Sequence, residues 1–167
     1  MIEAKDYEYL AKIVGYEFVK TDKETLSLWG KDWTKNLDSD PSCVVFPKNS
    51  HEISEILKYC QVRNIKVVPN GGRTGLSGGA YAQHKELVLA LERLNKILRV
   101  DPISRIVEAE AGVATFLLQQ EASRHGLFFP IDLASKGSCQ IGGNIATNAG
   151  GLKFIRFGGT RNHVLGL

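Results

Sequence analysis

The chain has 167 residues, of which 43% are hydrophobic and 23% charged, with a formal net charge of +3. That length suits one well-cored domain or two small lobes, and the composition is that of an ordinary globular protein. The small charge, with no basic block interleaved with aromatics, argues against a nucleic-acid partner. No apolar run approaches the ~20 residues needed to span a bilayer.

The N-terminal stretch Met-Ile-Glu-Ala-Lys-Asp-Tyr-Glu carries acidic residues and no apolar core, which argues against a secretory or transit signal. Cys43, Cys60 and Cys139 are odd in number and lack Cys-x-x-Cys spacing, so neither a disulfide framework nor a zinc site is expected. Reduced thiols fit a cytoplasmic protein.

Leu10, Ile13 and Val14 recur at helical spacing and predict a helix over 6–14 that stops at Gly15. Thr21-x-x-Glu24 has capping-box form and opens a second helix with Leu26 and Trp29. Residues 30–42 read as a loop into the domain proper, with Trp29 and Trp33 packed as a lid over the core. Residues 43–46 form a short buried strand. Asn49 or Ser50 caps a helix that buries Ile53, Ile56, Leu57 and Cys60 on one face. The next strand covers 66–68 and a third covers 87–91, so the first two strands form a parallel βαβ unit.

Between the second and third strands the side chains almost vanish. Residues 69–79 read Pro-Asn-Gly-Gly-Arg-Thr-Gly-Leu-Ser-Gly-Gly, with five of the chain's 17 glycines in 71–79. Successive N–H groups behind a strand make an anion-binding concavity. Thr74 and Ser77 add hydroxyls and Arg73 a fixed charge, as a pyrophosphate requires. The spacing fits neither the dinucleotide-binding Gly-x-Gly-x-x-Gly nor the P-loop. A flexible Gly-rich hairpin is the alternative, but the stretch lacks a linker's Gly/Ser monotony.

From Ile97 the pattern changes. Residues 97–100 and 105–110 alternate apolar and polar around Asp101-Pro102, which predicts an antiparallel hairpin. A helix follows over 115–125, with Leu118 and Ala122 on one face and Gly126 as its stop. A second cluster holds seven glycines in 137–159. Within 130–151, Ser138, Asn144, Thr147 and Asn148 offer the modest donors and acceptors that suit the edge of a heteroaromatic ring. A tightly packed small-residue turn is the alternative. Val164-Leu165-Gly166-Leu167 reads as the start of a buried strand, so the sequence is expected to be a fragment of a longer protein.

Three segments together carry a family resemblance. Residues 69–79 resemble the pyrophosphate loop of the FAD-linked oxidases, the PCMH-type or vanillyl-alcohol-oxidase-like family. Ile141-Gly142-Gly143-Asn144-Ile145-Ala146-Thr147-Asn148-Ala149-Gly150-Gly151 resembles its second FAD segment. Residues 156–167 look like its Tyr-Gly-x-x-Arg-Asp-x-Val-Leu-Gly-Leu segment, with Phe157 where Tyr is frequent and Asn162 where Asp is usual. Lys136-Gly137-Ser138-Cys139-Gln140-Ile141 resembles the D-2-hydroxyglutarate dehydrogenase branch, whose neighbours are D-lactate dehydrogenases and glycolate-oxidase-type enzymes.

The resemblance implies an α+β, PCMH-type FAD-binding fold. It has an N-terminal helical segment (1–40), a small βαβ subdomain (41–95) and an incomplete antiparallel-sheet subdomain (96–167), with FAD between the two subdomains. It implies cofactor contacts from Pro69, Gly71, Gly72, Arg73, Thr74, Gly75, Leu76, Ser77, Gly78 and Gly79. It carries Ser138, Gly142, Gly143, Asn144, Thr147 and Asn148 to the flavin. No His lies in the first loop, so noncovalent FAD is expected. The implied parent oxidises a D-2-hydroxy acid to the 2-oxo acid and passes electrons to an acceptor that is not specified. Substrate, base and metal residues belong to a C-terminal domain, so no catalytic or metal residue is assigned, and this piece alone is expected to be inactive. A non-catalytic FAD- or nucleotide-binding module and a glycolate-oxidase-type relative are the other readings. His51, His84, His125 and His163 do not make a plausible catalytic set, and His163 lies nearest the flavin segment.

Overall fold

The computed structural model describes residues 2–35 and 37–167, which divide into one compact unit ending at Arg93 and another over Leu94–Leu167.

In the first unit, helix α1 (Ala4–Val14) ends at Gly15, whose φ of 100° is outside the range most side chains adopt. A two-residue strand β1 (Val19–Lys20) follows. Helix α2 (Lys23–Trp29) is capped by Asp22, whose carboxylate accepts from Thr25 N, so the cap is one residue later than the Thr21 box predicts. Strand β2 (Cys43–Val45) and helix α3 (Ser50–Val62) come next, the latter capped by Asn49 through Glu52 N. Strands β3 (Val67–Asn70) and β4 (Leu87–Ala90) complete a sheet of order β1-β2-β4-β3.

The expected β2–α3–β3 unit is present, and both strands run parallel to β4. They are not neighbours, because β4 inserts between them. β4 is the strand with four buried residues in a row, as a strand covered on both faces requires. β3 is left at an edge, where Pro69 costs no ladder bond to a further strand.

Alternation along β2 and β4 divides the core. Cys43, Val45, Leu87 and Leu89 pack with Leu10, Val14, Ile56 and Cys60. Val44, Val88 and Ala90 pack with Trp29, Phe46 and Ala82. Two expectations fail here. Leu57 is 43% exposed, because the buried face of α3 runs through Glu52, Ile56 and Cys60. Trp33 is 71% exposed, and Trp29 alone covers the core, edge-on to Phe46 at 5.0 Å. Burial pushes the Cys43 thiol up to about 12 and the Cys60 thiol up to about 11, so both are neutral core groups.

The second unit opens with the expected hairpin, β5 (Ile97–Asp101) antiparallel to β6 (Ile106–Ala109). Helix α4 (Thr115–Arg124) stops before Gly126, whose φ is 69°. Two short helices, α5 (Ile141–Thr147) and α6 (Phe154–Phe157), lie in the second glycine cluster, where no helix is predicted. Residues 164–167 have no regular structure, and Leu165 and Leu167 are exposed rather than starting a buried strand.

Candidate cofactor-binding site

The first candidate segment grows from the C-terminal end of β3. Open α/β sheets bind ligands at such ends. Pro69 is exposed in the edge strand, and Asn70 is buried at its last position. The chain then leaves the sheet. Among the described residues, no backbone N–H of residues 71–77 has a protein acceptor. Unpaired donors of this kind are rare unless solvent or a ligand takes them. Seven in succession, with no Asp or Glu in 69–79, make a donor set suited to an acceptor-only anion such as a pyrophosphate.

The left-handed residues are Arg73 (φ 56°) and Gly78 (φ 74°), so one of the two sharp turns falls on a non-glycine. Gly75 has a second reason to be glycine, since a Cβ there would lie 3.2 Å from the Asp32 carboxylate. Gly79 faces open space. Thr74 is half-buried, while Leu76 and Ser77 are exposed at the tip.

Arg73 is not extended over the loop. Its guanidinium lies 3.7 Å from the centre of the Trp29 ring, a cation–π stack. Burial draws its pKa down, with Glu92 opposing. An arginine stays charged through such a shift. The structure therefore presents the charge held against an indole at the edge of the loop.

The partners that hold this loop come from residues 29–34, the last residue of α2 and the start of the 30–42 connection. Asn70 Nδ2 donates to Trp29 O at 2.7 Å and to Ala80 O at 3.4 Å, tying both ends of the loop. Trp33 N donates to Gly75 O, and Gly78 N donates to the Thr34 hydroxyl at 2.7 Å. The Trp29 indole and the Asn70 side chain could have signalled this, but backbone bonds from Trp33 leave no sequence mark.

A second candidate segment lies in the other unit. Residues 141–147 form α5. Gly142 is glycine because a Cβ would come within 2.7 Å of Ala111 Cβ. Asn144 is buried, and its amide donates to Thr115 Oγ1 and toward Cys139 Sγ. Asn148 takes the left-handed C-cap (φ 52°), and its Oδ1 accepts from Arg161 N. Arg161 in turn donates to Ile145 O and Ala146 O, closing the helix end. Gly142, Asn144 and Asn148 thus have structural duties that the ligand reading did not anticipate. Gly143 meets nothing within 4 Å of a built Cβ, and Ser138 and Thr147 are exposed, with the Thr147 hydroxyl donating to Gly143 O. With Asn148, also exposed, these are the accessible members of the set.

Asn162, which stands where the family usually has Asp, accepts from Gly159 N through its Oδ1. Phe157 packs edge-on to Phe128 at 5.8 Å. His51 lies in the first turn of α3, His84 and His125 stand beside Glu86 and Glu121, and His163 lies 2.9 Å from Phe157 O. A separate cleft of about 370 Å³, lined by Val100, Val107, Leu118 and Phe129 among others, contains none of the candidate residues. Among the described residues no group of three His, Cys, Asp or Glu could hold a metal.

A family model described as FAD binding domain matches residues 41–167, a stretch that contains the donor-lined glycine loop. The chain belongs to that family, the PCMH-type FAD-binding domains. Its relatives are more specific. It is 46% identical over 149 residues to a D-2-hydroxyglutarate dehydrogenase of Stutzerimonas stutzeri, a match covering 89% of this chain and 32% of the relative. It is 41% identical to the mitochondrial D-2-hydroxyglutarate dehydrogenase of Arabidopsis thaliana, covering 99% of this chain and 30% of that one. The chain thus spans about a third of the length of these relatives. Among solved structures, an alkyldihydroxyacetonephosphate synthase superposes with a TM-score of 0.87 at 18% identity, covering 99% of this chain and 32% of that one. A p-cresol methylhydroxylase with substrate bound gives a TM-score of 0.70 at 21% identity, covering 87% and 29%. At those identities the likeness is one of fold.

Proposed function

We propose that this chain is the FAD-holding portion of a flavin-dependent dehydrogenase that oxidises a D-2-hydroxy acid, of the 2-hydroxyglutarate or lactate type, to the 2-oxo acid. The observation that carries the reading is the run of N–H donors at residues 71–77 that have no partner among the described residues, inside a chain whose relatives are D-2-hydroxyglutarate dehydrogenases. Bound FAD would supply the two-electron acceptor for the alcohol carbon. This chain's part is to bind and orient it. Gly71, Gly72, Thr74, Gly75 and Ser77 would offer donors to the pyrophosphate, with Gly78 shaping the turn. Ser138, Gly143 and Thr147 would face the rest of the cofactor. Gly142, Asn144 and Asn148 would support them by fixing α5.

We read the flavin as noncovalent, since no His, Cys or Tyr lies in 69–79. Acid precipitation should then leave all the yellow colour in the supernatant, and colour in the pellet would contradict it. The three buried free thiols fit a reducing compartment, which supports a cytoplasmic location. No described helix is long and apolar enough to cross a membrane.

The test is turnover by the whole protein with an artificial electron-accepting dye. D-2-hydroxyglutarate or D-lactate should reduce the dye and the L-enantiomers should not. Flavin binding without turnover of any 2-hydroxy acid would favour the non-catalytic module.

A further inference from the structure

We infer that residues 29–34, which lie ahead of the matched domain, are a strap that sets the shape of the glycine loop, and that Thr34 is its positioning residue. The inference deepens the cofactor reading of that loop and rests on it only for its second measurement.

The loop cannot specify its own conformation. Among the described residues, 71–77 donate no backbone hydrogen bond, and glycines leave the chain with wide freedom. Something outside must restrict it. The strap reaches it at four separated points: Trp29 O accepts from Asn70 Nδ2, Gly30 O from Ala82 N, and Gly75 O from Trp33 N, while Thr34 Oγ1 accepts from Gly78 N. Three further contacts lock the strap in register. Tyr81 Oη donates to Thr34 O at 3.2 Å, Asp32 accepts from Thr34 N at 2.8 Å, and the Arg73 guanidinium rests on Trp29.

Thr34 holds the decisive place. Its hydroxyl accepts from the left-handed Gly78, the point where the loop turns back toward the sheet. A loop ordered before its ligand arrives loses less freedom on binding. The strap would therefore raise affinity without touching the ligand.

The experiment is amide hydrogen exchange on the ligand-free chain, followed by FAD titration, for wild type, Thr34→Val and Thr34→Ser. Thr34→Val should speed exchange at Gly78 about tenfold, as loss of one hydrogen bond implies. Thr34→Ser, which keeps the hydroxyl, should restore protection, and α3 should stay protected in all three. FAD affinity should fall about three- to tenfold in Thr34→Val alone. Tyr81→Phe, which frees the other side of Thr34, gives a milder second variant and should speed exchange at Gly78 by a smaller factor. Unchanged exchange at Gly78, failure of Ser to rescue, or equal loss of protection in α3 would overturn the strap. Absence of saturable FAD binding by wild type, with exchange behaving as described, would instead sink the cofactor reading and leave the strap standing.

Discussion

Gly142 and Gly143 are adjacent in sequence and opposite in surroundings. A Cβ on Gly142 would collide with Ala111, whereas one on Gly143 would meet nothing. Gly142→Val should therefore destabilise the unit by about 1–3 kcal/mol, the usual cost of overpacking. Gly143→Val should leave the unfolding midpoint nearly unchanged and weaken FAD binding. Denaturant titration beside flavin fluorescence separates the two, and equal loss of stability in both would remove Gly143 from the site. The sequence marks both residues alike, since a glycine needed for packing and one needed for ligand approach are spelled the same way. Asn144 and Asn148 share that ambiguity, because a buried amide and a ligand-facing amide look identical until their partners are known. Arg73 is a different case. Its charge is legible in the sequence, but its stack on Trp29 joins residues 44 positions apart that no local pattern connects.

Among elements, the α1–α3 contact carries a pH dependence. Asp6 is fully buried and accepts from Tyr59 Oη at 2.7 Å, Arg63 Nε at 2.9 Å and Glu3 N at 2.7 Å. Burial opposes its ionisation, but the bonds from Arg63, Tyr59 and Glu3 outweigh it and hold its pKa at about 2, below the ordinary 3.8. A depressed carboxylate stabilises the fold at pH above its unfolded value and loses that contribution as pH falls through its folded value. Wild type should thus lose stability between about pH 4 and pH 2, and Asp6→Asn should flatten that slope while costing about 1–3 kcal/mol at neutral pH. Denaturant midpoints measured across that range check it. The elements themselves were largely readable: α1, α3, α4 and the β5–β6 hairpin follow from periodicity and caps. Helix α5 was not, because Ile-Gly-Gly-Asn-Ile-Ala-Thr is poor in helix formers. It is fixed from outside by the Asn148 cap and Arg161, so Arg161→Ala should reduce the stability of that unit by about 1 kcal/mol. The β2-β4-β3 order was also hidden, since a βαβ pattern gives direction but not which strand inserts between.

Over the whole molecule, the readable part was a glycine loop behind a strand and a second small-residue segment, and the FAD-binding family model matches a stretch that contains both. What composition could not reveal was that residues ahead of the matched segment hold the loop in shape. The most direct measurement is a titration of FAD into the 167-residue chain, followed by quenching of flavin fluorescence, with Gly78→Val as control. Valine cannot comfortably take the φ of 74° found there. The expected result is saturable one-to-one quenching that ADP competes away and that Gly78→Val abolishes. Quenching that never saturates, or that Gly78→Val leaves intact, would contradict a pyrophosphate cradle at residues 71–79.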